Sequence, residues 1–180
     1  PATPADAKGL MKTAIRDNDP VYVMENTTLY GMKAHVPDPA DGDFTIPLGK
    51  ADIKRVGSDI SLIAHGASVL RCLEAAKILQ NEHGINAEVV DLRSIRPLDQ
   101  DAIIDSVKKT NKAVLVDESK PFCGVSAQIA TLIQEYAFDY LDAPIKRVCT
   151  IDAPAIYSPY VEADQLPNAA RIVKQVLTIA

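Results

Sequence analysis

From residue 60 onward, short apolar runs alternate with longer stretches in which apolar positions recur every three or four residues. Ile60-Ser61-Leu62-Ile63-Ala64 reads as a strand, His65-Gly66 as a turn, and Val69, Leu70, Leu73, Ala76 and Leu79 as one face of a helix. Gly84 suits the left-handed position that ends such a helix. Ala87 to Val90 predicts the next strand. Asp99 is placed to cap a helix that buries Ile103, Ile104 and Val107. Ala113 to Val116 is almost wholly apolar, as a strand covered on both faces should be. A loop with Pro121 and Gly124 precedes a helix bearing Ile129, Ile133 and Ala137, then a strand from Ile145 to Cys149. Ile172, Val173, Val176 and Leu177 predict one side of a closing helix. Strands separated by helices give an α/β fold: three layers, a mainly parallel sheet and helices on both faces.

The first third of the chain differs. Pro4-Ala5-Asp6-Ala7 opens a helix running through Leu10, Met11, Ala14 and Ile15, with Asp6 expected to accept backbone N–H groups near its start. Asp17-Asn18-Asp19-Pro20 should stop it, and Val21-Tyr22-Val23-Met24 reads as a short strand. Met32 to Phe44 has no period, and its turns at Pro37-Asp38-Pro39 and Asp41-Gly42-Asp43 mark a linker. One helix and one strand are too little for an α/β domain. The expected division is therefore residues 1–45, the end of one domain plus linker, and residues 46–180, a complete one.

Composition adds limits. The 180 residues are 47% apolar and carry a formal net charge of -5, with basic residues scattered, which argues against nucleic acid or an anionic membrane as partner. No apolar stretch reaches bilayer-spanning length. The three cysteines are widely spaced. Cys72 and Cys149 fall in helix and strand patterns that predict small buried hydrophobes, while Cys123 sits in a loop and is a candidate reactive thiol. This usage suits a reducing compartment.

Candidate chemistry is sparse. His65-Gly66-Ala67-Ser68 lies where a dinucleotide fold has its glycine-rich turn but holds one glycine, so a helix cap is favoured over a phosphate site. His65 is expected to be a hydrogen-bonded histidine at a domain edge, and His35 and His83 to be exposed. Asp17 and Asp19 follow a helix end whose carbonyls lack intrahelical partners, an arrangement compatible with a hard cation. Arg93 and Arg96 follow a strand end, with Asp117 and Glu118 as candidate counter-charges.

Several long segments are more specific. Asp6-Ala7-Lys8-Gly9-Leu10, Ala14-Ile15-Arg16-Asp17-Asn18-Asp19-Pro20, Glu25-Asn26-Thr27-Thr28-Leu29-Tyr30-Gly31, Val90-Asp91-Leu92-Arg93-Ser94-Ile95-Arg96-Pro97-Leu98-Asp99 and Leu141-Asp142-Ala143-Pro144 occur in this order. Together they resemble the E1 beta subunits of pyruvate dehydrogenase, in the thiamine diphosphate-dependent, transketolase-like family. The resemblance implies a tetramer of two alpha and two beta subunits that decarboxylates a 2-oxo acid with thiamine diphosphate and Mg2+ and acylates the lipoyl group of an E2 transferase. It implies that residues 1–45 end a pyrimidine-binding domain and that residues 46–180 form a transketolase C-terminal-like domain. The catalytic glutamate and histidine of that family would precede Pro1, so neither Glu25 nor His65 takes those roles and no catalytic or cofactor-binding residue is expected on this chain. It further implies a structural K+ held around Ala14, Ile15, Asp17 and Asp19. Asp142 and the terminal Ala180 would meet the E2 subunit-binding domain, beside an E1 alpha subunit and a second E1 beta subunit as partners. The compartment would be the cytoplasm of a bacterium or the mitochondrial matrix of a eukaryote. Branched-chain 2-oxo acid or acetoin relatives, and a non-catalytic scaffold of the same fold, are the alternatives.

Overall fold

A computed structural model describes residues 1–38, 40 and 42–180. In chain order its main elements are α1 (Pro4–Arg16), β1 (Asp52–Arg55), β2 (Ile60–Ala64), α2 (Ser68–His83), β3 (Ala87–Asp91), α3 (Gln100–Thr110), β4 (Ala113–Asp117), α4 (Val125–Ala137), β5 (Lys146–Cys149), α5 (Pro159–Gln165) and α6 (Ala169–Val176). The five strands form one sheet in the order β1-β3-β2-β4-β5. β2, β3, β4 and β5 run parallel, and β1 pairs antiparallel with β3 at the edge.

Strand alternation divides the apolar residues into two cores. Ile60, Leu62 and Ala64 of β2 face α2 and α6, where Cys72, Leu79, Ile172 and Val176 are buried. Ile63 joins Ile103, Val107, Ile129 and Ile133 of α3 and α4 on the opposite face. Every residue of β2, β3 and β4 is buried, which explains the mostly apolar runs of these strands, broken by the buried Ser61, Glu88, Asp91 and Asp117. The three-layer α/β architecture is as expected. The caps also hold: Asp99 Oδ1 accepts the Ala102 N–H, and Gly84 ends α2 at φ 68°.

Four details differ from the sequence reading. Val21-Tyr22-Val23-Met24 joins no ladder, and Tyr22 and Met24 stand 91% and 81% exposed. Apolar alternation without a neighbouring strand makes no sheet. The cap of α1 is Thr3, whose Oγ1 accepts the Asp6 N–H; the Asp6 carboxylate is instead drawn into an ion cluster. Leu177 lies beyond α6 and is 44% exposed, so it leaves the buried face that Ile172, Val173 and Val176 make. The edge strand β1 was not foreseen because Asp52-Ile53-Lys54-Arg55 has one apolar residue among three charges, a composition that edges tolerate. The expected turns around residue 40 include Pro39 and Asp41, which lie outside the described residues.

Candidate functional site

The strand order reverses at β2, with β3 on one side and β4 on the other. In parallel α/β sheets the crevice beyond the carboxyl ends at such a point is where ligands bind. Here that edge carries His65 after β2, Asp91 and Arg93 at the end of β3, and Asp117 and Glu118 at the end of β4.

Asp117 is the best-held group. One oxygen accepts the Ser119 N–H at 2.9 Å, and the other accepts the Ser119 hydroxyl at 2.6 Å and the Ser126 N–H at 2.9 Å. Burial works against its charge, but the nearby His65 imidazole, Ser119 and the Ser126 N–H outweigh it and hold its pKa well below the usual carboxylate range. Gly124 makes the tight loop possible, since a Cβ there would lie 2.6 Å from the Lys120 carbonyl oxygen. His65 Nε2 sits 3.6 Å from Asp117 Oδ1, beyond hydrogen-bond reach, and has no partner. The expectation of a hydrogen-bonded His65 is therefore corrected. Ser68 Oγ, buried at the start of α2, is also unpaired, and Ala67 provides no side-chain cap. The crevice between Ile63, Leu92, Leu115 and Ile129 has no room for a water molecule.

Among the described residues no hydrogen bond therefore fixes Nε2 of this imidazole. The Ser119 hydroxyl is committed to Asp117, and the Ser126 hydroxyl meets Cys149 Sγ at 3.4 Å. Burial raises the Glu118 pKa, and Asn26 Nδ2 donates to Glu118 Oε2 at 3.2 Å.

Two strands away, five charges converge. Asp6 is 1% exposed and accepts from Lys54 Nζ (2.8 Å), Arg93 Nε (2.9 Å) and the Thr3 hydroxyl (2.7 Å). Lys54 and Arg93 also bind Asp52, at 2.8 and 2.9 Å. Asp91 Oδ1 accepts the Arg93 N–H, while Oδ2 has no hydrogen bond and lies 3.6 Å from Lys54 Nζ. Burial raises the pKa of Asp91. Burial also opposes charge on Asp6 and Lys54, yet their mutual bonds prevail, lowering the first pKa and raising the second. The sequence offers Asp117 and Glu118 as counter-charges for Arg93. Its partners are instead Asp6 and Asp52, because β1 pairs with β3 and brings Asp52 beside it. Arg96 is exposed.

The other candidates are dispersed. Ala14, Ile15, Asp17 and Asp19 lie at the exposed end of α1, where the Ala14 carbonyl accepts the Asp17 N–H at 3.3 Å and Asp17 Oδ1 accepts the Asp19 N–H at 2.9 Å. Asp142 is exposed, its N–H bonded to the Asn111 carbonyl at 2.9 Å, on the amino-end side of β5; Ala180 is exposed at the chain end, and none of the described hydrogen bonds or ion pairs joins the two. Cys72 and Cys149 are buried, Cys123 is exposed, and His35 and His83 are exposed. Glu25 accepts the Tyr30 hydroxyl at 2.7 Å. A mostly apolar cavity of about 210 Å³ separates the start of α1 from Glu25, Leu29 and Tyr30. Among the described residues no three His, Cys, Asp or Glu side chains group to hold a metal, and no helix is long and apolar enough to cross a membrane.

The transketolase C-terminal domain model matches residues 49–172, from the approach to β1 into the first turn of α6. The chain belongs to the transketolase C-terminal domain family. Over 179 residues, 99% of the chain, it is 49% identical to the acetoin:2,6-dichlorophenolindophenol oxidoreductase subunit beta of Bacillus subtilis. It is 47% identical over 178 residues to the mitochondrial pyruvate dehydrogenase E1 component subunit beta of Saccharomyces cerevisiae, and 45% identical over 176 residues to that of Dictyostelium discoideum. The chain spans about half the length of these relatives, 51%, 48% and 48%. Among solved structures, a split-gene transketolase described as an inactive beta4 tetramer matches 99% of the chain at a TM-score of 0.77 and 24% identity, a likeness of fold. That family fold accounts for the antiparallel β1 beside a parallel sheet.

Proposed function

We propose that this transketolase C-terminal domain protein is the C-terminal portion of the beta subunit of a thiamine diphosphate-dependent 2-oxo acid dehydrogenase, with pyruvate as substrate and the lipoyl group of an E2 transferase as acetyl acceptor. The observation that carries the reading is 45–49% identity, sustained over nearly the whole chain, to beta subunits of pyruvate dehydrogenase and of an acetoin oxidoreductase. Residues 1–45 are the end of a pyrimidine-binding domain plus linker, and residues 46–180 the transketolase C-terminal-like domain. The unpaired run Val21–Met24, with Tyr22 and Met24 exposed, supports that division.

Bound thiamine diphosphate supplies the electron sink for decarboxylation. We place the ligands of its Mg2+ outside these 180 residues. The contribution of these residues is assembly. A structural K+ would be held around Ala14, Ile15, Asp17 and Asp19; the carboxylate and carbonyl oxygens there are of the right hard-donor type. Asp142, exposed at the amino-end side of the sheet, together with Ala180, meets a basic side chain of the E2 subunit-binding domain, and two alpha subunits and a second beta subunit complete the tetramer.

The test uses the full-length natural product that contains this chain, co-expressed with its alpha subunit and given thiamine diphosphate and Mg2+. Pyruvate-dependent dye reduction supports the proposal; turnover of acetoin but not pyruvate replaces it with the second reading, which the 49% identity to the acetoin enzyme favours. No turnover of either, with a ligand bound by the chain alone, would favour a scaffold. Asp142→Ala should weaken capture of the subunit-binding domain and leave dye reduction intact; unchanged capture rejects that docking role.

A further inference from the structure

Helix α1 meets the α/β unit through a small apolar contact, hydrogen bonds to Ile46 and a charged cluster. Its buried residues are Asp6, Gly9 and Leu10 alone, while Ile15 is 76% exposed. At Gly9 the approach is close: Ile46 N–H donates to the Gly9 carbonyl at 3.2 Å, and a Cβ on Gly9 would stand 2.6 Å from Ile46 Cγ1. A helix of 13 residues has little stability alone in water. One leucine adds only about 2 kcal/mol of burial. The remaining holds are the Thr13 hydroxyl, which donates to the Ile46 carbonyl at 2.7 Å, the buried Ala2 just before the helix, and the ion pairs of Asp6, which are the charged part.

We propose that Asp6, Lys54 and Arg93 form a charged latch that docks α1 on β1 and the end of β3, and that α1 comes away as a unit when the latch is broken while the sheet stays folded. Three observations bear on this. First, Asp6 is 1% exposed, so its charge is tolerable only while both cations reach it. Second, Arg93 adopts φ 54°, a left-handed backbone uncommon for a residue with a side chain, and from there its guanidinium spans Asp6 and Asp52. Third, the antiparallel register sets Asp52 directly opposite Asp91, so Lys54 and Arg93 also hold the edge strand against like-charge repulsion. The same two cations thus serve the sheet edge and the helix. The Asp17–Asp19 turn and the exposed Tyr22 and Met24, which come directly after α1 in the chain, take their position from this contact. The geometry of these residues carries the latch independently of the family reading.

Amide hydrogen exchange on the full chain tests it. In Asp6→Asn, amides from Leu10 to Arg16 should exchange at least ~10-fold faster while those of β2 and β4 change less than ~2-fold. Asp43→Asn, which removes the exposed pairs with Lys12 and Arg16, should change α1 exchange less than ~2-fold. Should Asp6→Asn fail to fold, Lys54→Met takes its place with the same expected split, and the failure itself, with the sheet lost, counts against a separable helix. Unchanged α1 exchange in the variant, or acceleration of α1 and sheet together, overturns the proposal.

Discussion

The two ends of the parallel sheet each bury a carboxylate on β3, three residues apart, and treat it oppositely. At the amino end Glu88, 1% exposed, accepts the Ser106 hydroxyl at 2.7 Å and the Gly57 N–H at 3.4 Å and is paired with Lys109; Ser106 continues through Ser61 to Thr110 at 2.6 and 2.7 Å. No side-chain oxygen of that network is left without a partner. At the carboxyl end Asp91 keeps one oxygen unbonded, and His65 Nε2 and Ser68 Oγ near it along the same edge are unpaired as well. A buried charge with every lone pair engaged acts as a staple, whereas one with an idle oxygen is a cost carried by its neighbours. The lesson is that burial and charge alone do not rank these residues; the count of partners does.

The largest effect should come from Glu88→Ala, which leaves the buried Ser106 hydroxyl and the Gly57 N–H without their acceptor, whereas Lys109, 46% exposed, can turn to water. It should cost about 3 kcal/mol in urea unfolding, the sum of two such losses. Asp91→Asn should cost less than about 1 kcal/mol, because it removes a buried charge that is only half satisfied and keeps the oxygen facing the Arg93 N–H. Equal losses for the two variants would break the contrast.

Next comes pH. The pKa values of Asp6 and Asp117 are depressed in the folded chain, so their stabilisation is present above the ordinary aspartate value of about 4 and disappears as pH falls through their folded values. Asp91 and Glu118 are raised, so the native state takes up their protons first, and between their unfolded and folded pKa values stability grows as pH falls. The two signs oppose each other. Urea midpoints should therefore hold up through mild acid and collapse only below about pH 4. Asp91→Asn should remove part of the mild-acid gain; a wild-type midpoint that falls steadily from neutral pH would contradict these assignments.

The smallest expected effect is that of His65→Gln. Asp117 keeps Ser119 and the Ser126 N–H, so the loss in the same unfolding assay should stay under about 1 kcal/mol. A loss above about 2 kcal/mol would show that the imidazole, not the loop, holds Asp117.

Periodicity by itself determined β2, α2, β3, α3, β4, α4, β5 and α6, with the caps at Gly84 and Asp99, from local apolar spacing and backbone chemistry; it marked neither α5 nor the order of the strands. Local patterns suffice for those elements because each carries its own buried face in its spacing, whichever element covers it. Only the tertiary structure decided where the charges went. Asp6 reaches Arg93 across 87 residues and Lys54 across 48, through an edge strand whose charged composition hides it. It also decided that Val21–Met24 makes no ladder, since a strand is defined by the partner beside it and no residue of a sequence carries its partner along.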